Sequence, residues 1–580
     1  MFDKTKKRII LAAVPFTLAG IVLAGCTAAS VAATGTETTS TTTATTVTAS
    51  GLDASMTADQ VLAENADATT VTADEAGTST ETTVTLNGDS ASVEGEGATA
   101  DGSTVTITAG GTYRLSGSLA GSVVVEAPDD AVVTIILDGV DITNADGAAL
   151  SVVTADDVAL VLADGTDNTL SDAASYADDA DINAALYSDA DLTISGEGSL
   201  TVEGNGNDGI TSTDDLKILS GTITVTAADD GLRGKDSLTV EGGTITLTAG
   251  GDGFTSDQDE DATQGYLWIS GGDITVDSSG DAFSAVTDLV ITGGDISATT
   301  GDGAGAQLSA DASAKALKAG LYVIVAGATV DADAADDAVH SDGVVHISDG
   351  DLTVASGDDG IHAEAALLID GGDTTITQSN EGIESTAITI AGGTVDVTAS
   401  DDGLNASSGS GESMQDSGEL ITITGGDTTI NAEGDGFDSN GSATMSGGTL
   451  TVWGPTRDGN GALDVNGTFD MSGGTLLAAG SAGMAVAPSA DSAQGWVFAT
   501  VSGQAGSTVQ IVSGGEVVAE YTADKAFATV VYSGTGITSG SSYDVIVDGT
   551  TTTVTAGEGG STGMGPGGGG GNGGGGMPGR

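Results

Sequence analysis

Residues 230–254 read DGLRGKDSLTVEGGTITLTAGGDGF, opening and closing on the same Asp-Gly-apolar turn 22 residues apart. Between the turns lie two alternating runs, Leu238-Thr239-Val240 and Thr244-Ile245-Thr246-Leu247-Thr248, separated by Gly242-Gly243. A period of two marks a strand. It puts Leu238, Val240, Ile245 and Leu247 on one side and Thr239, Thr244, Thr246 and Thr248 on the other. The glycine pair is the corner between strands.

The turn recurs at Asp208, Asp230, Asp252, Asp359, Asp402 and Asp435, with degenerate copies at Asp281, Asp302, Asp337, Glu381 and Asp458. Successive copies stand 21 to 23 residues apart except at three steps of 29, 35 and 33, which read as inserted loops. The double-glycine corner repeats with the turn, at Gly271-Gly272, Gly293-Gly294, Gly371-Gly372, Gly392-Gly393, Gly425-Gly426, Gly447-Gly448 and Gly473-Gly474. Coils of about 22 residues with short strands and tight corners are what a parallel β-helix requires, each coil bonding to the next about 4.8 Å away. An all-β solenoid is therefore expected over residues 84–480, with helices having almost no place to form. Residues 84–200 lack the Asp-Gly turn but keep strands such as Val105-Thr106-Ile107 and Val132 to Leu137. Residues 481–556 read as a small β cap, since an end coil exposes unpaired backbone. Residues 27–83 read as a Thr/Ser/Ala-rich acidic tether, and 557–580 as a disordered glycine-rich tail.

The chain of 580 residues carries 92 glycines and a formal net charge of −71. Such a surface repels nucleic acid, and it repels acidic sugars too unless divalent cations bridge the like charges. Cys26 stands alone, so no intramolecular disulfide forms. Lys4, Lys6, Lys7 and Arg8 precede an apolar run from Ile9 to Ala24, shorter than the ~20 residues of a membrane-spanning helix. Residues 1–26 thus read as an export signal whose end, Leu23-Ala24-Gly25-Cys26, resembles a bacterial lipobox. Acylation of Cys26 would leave an exported lipoprotein on the extracellular face of the membrane. A monomer is expected.

Stacked coils turn a repeated residue into a column, so the Asp-Gly turns become a ladder of carboxylates. Two outcomes are open: the carboxylates cap backbone amides of the turns, or they hold hard cations. Acids cluster beyond the repeat's needs in the first insertion, where Asp252, Asp257, Asp259, Glu260 and Asp261 gather. With Asp229, Asp230 and Asp236 one coil earlier, these are the candidate calcium ligands. The pattern is neither an EF-hand nor the nine-residue calcium repeat. Arg233 and Lys235 either form local salt bridges or hold sugar hydroxyls and carboxylates. Trp268 falls in the outward column of Lys217, Thr239, Val290, His346 and Leu368. It is either a sugar-stacking platform or a side chain covered by the neighbouring insertion, and Trp453 admits the same two readings. His340, His346 and His362 lie near one another in adjacent coils, but no Cys accompanies them and their spacing matches no zinc signature, so they are read as surface residues.

Four stretches, Gly111-Thr112-Tyr113-Arg114-Leu115-Ser116-Gly117, residues 230–236, residues 251–257 and Gly459-Asn460-Gly461-Ala462-Leu463-Asp464, resemble the bacterial carbohydrate-binding domain-containing family (domain of unknown function 4353). The resemblance runs from about Val84 to Pro488. It implies a right-handed parallel β-helix similar to polysaccharide lyases, bound calcium, and affinity for cellulose or acidic, pectin-type sugars on cell-surface proteins. Thr255 stands where members often carry lysine, and Phe254 where they carry a smaller aliphatic residue. Polysaccharide binding without catalysis is the leading expectation. A calcium-dependent lyase with Arg233 or Lys235 as base is the runner-up. An ice-binding threonine array, interrupted by Asp273, Asp331 and Asp396, and a surface adhesin or spacer rod complete the alternatives.

Overall fold

The computed structural model describes residues 51–72, 81–177, 180–309, 312–408 and 416–559. The signal segment with Cys26, most of the tether and the glycine-rich tail lie outside them.

Each period of sequence forms one coil of three strands. Leu232–Gly234, Ser237–Val240 and Thr244–Ala249 make one coil, and they pair in parallel with Phe254–Ser256, Tyr266–Ile269 and Asp273–Ser278 of the next. Register matches like with like: Leu232 lies beside Phe254, Leu238 beside Leu267, Ile245 beside Ile274. All six are wholly buried, which is why the alternation specifies the register. Phe254 and Phe283 stack inside with ring centroids 4.8 Å apart. The architecture is a parallel β-helix.

Three faces result. The shortest strands form a sixteen-stranded sheet that ends on Phe437–Ser439 and Leu463–Val465. The other two faces join in one thirty-stranded sheet, because long strands such as Tyr322–Ala334 and Val344–Ser356 run round the corner between them. One of these carries outward threonines broken by columns of Asp, with Thr244 beside Asp273 and Asp273 beside Asp295. The Asp-Gly corner admits nothing larger than glycine at Gly403, where a Cβ would run into Ile430 Cγ2 and the Gly436 carbonyl.

Both ends are closed by antiparallel strands. Ala91–Glu94 folds back on Thr82–Gly88, and Ala98–Asp101 on Thr104–Ile107. At the other end Phe527–Ser533 pairs antiparallel with Thr475–Gly480 and Trp496–Gly503, beside a four-stranded antiparallel sheet running from Thr508–Ser513 to Thr550–Thr555. Among the described residues no helix is long and apolar enough to cross a membrane.

The tether expectation is corrected over residues 51–72. These residues form a strap on the second face, containing the helix Ala58–Glu64, which opens with Thr57 N donating to Gln60 Oε1 at 2.9 Å. Ala58 and Val61 bury themselves against Val290, Tyr322, Ile324 and Val344. Polar groups pin the strap along several coils: Asn65 Nδ2 donates to Asp288, Thr69 N to Asp215, and Val71 N to Thr193. Few apolar residues carry this docking, so no period betrays it. Val61→Ala is expected to weaken the strap by about 1.5 kcal/mol, read as roughly tenfold faster amide exchange in Ala58–Glu64 with coil exchange unchanged.

Candidate functional site

Most members of the Asp ladder cap backbone amides. Asp208 Oδ1 accepts from Asp230 N, Asp230 Oδ1 from Asp252 N at 2.9 Å, and Asp252 Oδ1 from Asp281 N at 2.7 Å. Each carboxylate thus caps the turn of the following coil rather than its own. Asp281 Oδ1 accepts from Lys315 N and Asp435 Oδ1 from Gly461 N. The ladder positions after Asp281 and Asp435 are therefore Lys315 and Gly461; Asp302 and Asp458 belong to loops. Ladder carboxylates are crowded and shielded from water. Burial, then Asp230, pushes Asp208 up to about 7, and burial, then Asp281, pushes Asp252 up to about 7.

Three residues beyond each ladder position lies the single outward side chain of a short strand. Register stacks these into one column: Thr211, Arg233, Thr255, Ser284, Lys318, His340, His362, Glu384, Asn405, Asp438 and Asp464. The column is the candidate site. Apolar neighbours such as Leu232, Leu317, Ile361 and Phe437 point inward and fix the outward residues between them.

Its chemistry changes along its length. At one end Arg233 Nη2 donates to Asp257 Oδ2 at 2.6 Å. Burial disfavours the charged guanidinium, but Asp257 outweighs it and raises the pKa. In the middle Lys318 Nζ sits 2.6 Å from Asp281 Oδ2, and Lys315 Nζ 2.6 Å from Asp337 Oδ2 and 3.1 Å from Asp336. Burial alone would raise Asp337, yet His340 and Lys315 hold it down to about 2. Burial likewise opposes a charged His362, but Asp359 and Asp337 push it up to about 9. At the far end the cations stop. Burial, then Asp402 and Asp435, pushes Asp438 up to about 8, and burial, then Asp435, pushes Asp402 up to about 7. Asn405 donates through Nδ2 to Glu381 Oε2 at 2.6 Å, while its Oδ1 is buried without a partner.

The sequence-expected calcium ligands do not converge. Asp230 and Asp252 cap backbone amides, and Asp236 takes the side-chain amides of Gln258 and Gln264 at 2.9 and 2.8 Å. Asp257 pairs with Arg233, while Asp229, Asp259 and Asp261 are exposed, Asp261 capping Thr263. Among the described residues, three other groups place their ligand atoms within 4.8 Å of one another: Asp337/His340/His362, Asp359/His362/Glu384 and Asp336/Asp337/Asp358. Two histidines read as plain surface residues are therefore central. The signal was present in the tripeptides Val339-His340-Ser341 and Ile361-His362-Ala363, each three residues after a ladder Asp.

Arg233 stands in the column, and Lys235 lies half-buried just past it, with no ion-pair partner among the described residues. Trp268 does occupy the column of Lys217, Thr239, Val290 and, beyond Ile324, His346 and Leu368. The strap packs against it, and its Nε1 donates to Thr292 Oγ1 at 3.1 Å. His346 is buried beneath the same strap, against the Met56 carbonyl. Trp453 is 5% exposed, packed into the core of the cap beside Leu477 and Tyr532. Its remaining edge lines a groove of about 340 Å³ with Thr375, Asp396, Asn431 and Asp524. Neither tryptophan presents an open stacking face.

Among curated proteins, a carbohydrate-binding domain-containing protein of Acetivibrio thermocellus is 40% identical over 128 residues, or 21% of this chain. The match spans 45% of that relative, less than half its length. Among solved structures, a gadolinium derivative of the polysaccharide lyase-like protein from C. thermocellum is 31% identical with a TM-score of 0.39, covering 47% of this chain and 100% of that one. The family model of the carbohydrate-binding domain-containing protein matches residues 101–360 and again 358–564. With the greater part of its length so matched, the chain belongs to the carbohydrate-binding domain-containing protein family.

Proposed function

We propose that this chain is an exported lipoprotein, anchored through Cys26, that binds polysaccharide along the outward column of the sixteen-stranded sheet without cleaving it. The observation that carries the reading is the column itself: eleven consecutive positions in register, from Thr211 to Asp464, all polar or charged, of which all but the buried Thr211, Thr255 and Asn405 are partly open to solvent. An extended glycan presents hydroxyls and carboxylates at regular intervals, and a column of paired donors and acceptors meets them without a deep pocket.

On this reading calcium binds at the acid end. Asn405, whose Oδ1 is buried without a partner, pairs in register with Glu384 and Asp438 and donates through Nδ2 to Glu381, so oxygen donors of the kind a hard cation takes are gathered on neighbouring coils. Those residues would hold the ion, and its charge would let a surface this acidic accept a uronate. The lyase reading asks for a neutral base. Arg233 is held charged by Asp257, which leaves Lys235, without an ion pair among the described residues, as the base that the lyase reading needs.

Affinity electrophoresis through polygalacturonate, with calcium and then with chelator, tests this. The chain should be retarded in calcium, released by chelator, and leave the polymer at full length. Lys235→Ala, which breaks no ion pair among the described residues, should weaken retention roughly tenfold. Equal mobility with and without polymer would sink the binding reading, and the absorbance of unsaturated uronate would replace it with the lyase.

A further inference from the structure

We infer that Asp337, His340 and His362 form a site for a divalent first-row transition ion, of the zinc class, distinct from the oxygen-rich end of the column. The two imidazoles stand on adjacent strands, Val339–Ser341 and Ile361–Ala363, with ring centroids 5.0 Å apart and planes at 73°. Both turn the same nitrogen towards one oxygen: His340 Nδ1 lies 2.8 Å and His362 Nδ1 3.9 Å from Asp337 Oδ2, with Asp359 Oδ2 also 3.3 Å from His362 Nδ1. Both turn the other nitrogen outward to a separate carboxylate, His340 Nε2 at 3.2 Å from Asp342 Oδ1 and His362 Nε2 at 3.8 Å from Glu364 Oε1.

Two imidazoles converging on one buried carboxylate are what separate this cluster from a patch of acids. His340 Nδ1 now donates to Asp337 Oδ2, and an ion at the focus takes the place of that proton, leaving Asp342 behind the ring to hold a proton on Nε2, the orientation that metal-bound histidines share. Two imidazoles and one carboxylate suit zinc, nickel or copper, whereas calcium calls for six to eight oxygens. Asp337 is 3% exposed and fixed by the amide of Asp359, while both rings are partly open to solvent. Three protein ligands leave a coordination position for water or a sugar oxygen. Lys315 Nζ now shares Asp337 Oδ2; on metal binding it retains Asp336.

The test uses the untagged full chain, stripped with chelator and titrated with zinc chloride in the absence of glycan, so it is independent of polysaccharide binding. One zinc per chain is expected, held against a hundredfold excess of calcium. His340→Gln and His362→Gln, which keep side-chain size, should each weaken it at least tenfold. Cobalt added to the unaltered chain should give visible bands of a nitrogen-ligated ion. Zinc uptake unchanged in the double variant, displacement by calcium, or a cobalt spectrum indistinguishable from the aqua ion would each overturn the assignment.

Discussion

Asp252→Asn should stabilise the chain at pH 8, in chelator, by on the order of 2 kcal/mol, and should leave stability at pH 4 unchanged. In the fold the carboxyl is raised from 3.8 to about 7, chiefly by burial and then by Asp281. A group raised in the folded state lends its full stability below the unfolded value and loses it as pH climbs through the folded one. The window therefore runs from about pH 4 to about pH 7. Asparagine carries no charge at any pH, yet its carbonyl still accepts the Asp281 amide that Asp252 Oδ1 accepts at 2.7 Å. Three units would give about 4 kcal/mol, which screening and coupling to Asp230 and Asp281 reduce by half. Urea unfolding of both forms at the two pH values measures it. Should the asparagine form prove weaker at pH 8, the ionised carboxylate is being held by a cation, and Lys318, whose charge favours the ionised form, is the candidate.

The same ladder shows what the sequence could and could not reveal. Residues 230–254 carry coil length, strand alternation and corner together, because in a solenoid each residue's neighbour is the same residue one period on. From that the inward set Leu238, Val240, Ile245 and Leu247 follows directly. The ladder position was legible wherever an acid stood on the rung itself, including Asp281 and Asp337, which lack the glycine, and was misread at Asp302-Gly303 and Asp458-Gly459, which carry the dipeptide in loops. Lys315 and Gly461 hold the rung through their backbone amides, which any residue supplies, so side-chain identity gave no warning. The strap escaped because a helix of seven residues with two buried side chains has too short a stripe to show a period. Its packing against Trp268 could not be inferred from alternation, which separates inward from outward but not outward from exposed. The closeness of His340 and His362 follows from their place in adjacent coils, 22 residues apart; what the sequence did not show is that both rings turn to Asp337, which no zinc spacing encodes.

A cavity inside the column's own coils should have the largest effect. Phe437→Ala is expected to cost about 3–5 kcal/mol, since the ring is wholly buried and stacks on Phe469 with centroids 5.3 Å apart. Its lateral neighbours are Leu404 and Leu463. Leucine at 437 therefore suits the column and should cost only about 1 kcal/mol. Because coils contact only their neighbours, the damage should be local. Amide exchange should accelerate in Leu404–Ala406, Phe437–Ser439 and Leu463–Val465, and hardly change in Leu232–Gly234. Phe437 and Asp438 are consecutive and face opposite ways, so the cavity sits directly behind the acid end. Calcium-dependent retention should fall in the alanine form and return in the leucine form. An exchange map raised evenly over every coil would mean that the solenoid unfolds as one unit, and the nearest-neighbour account would have to be abandoned.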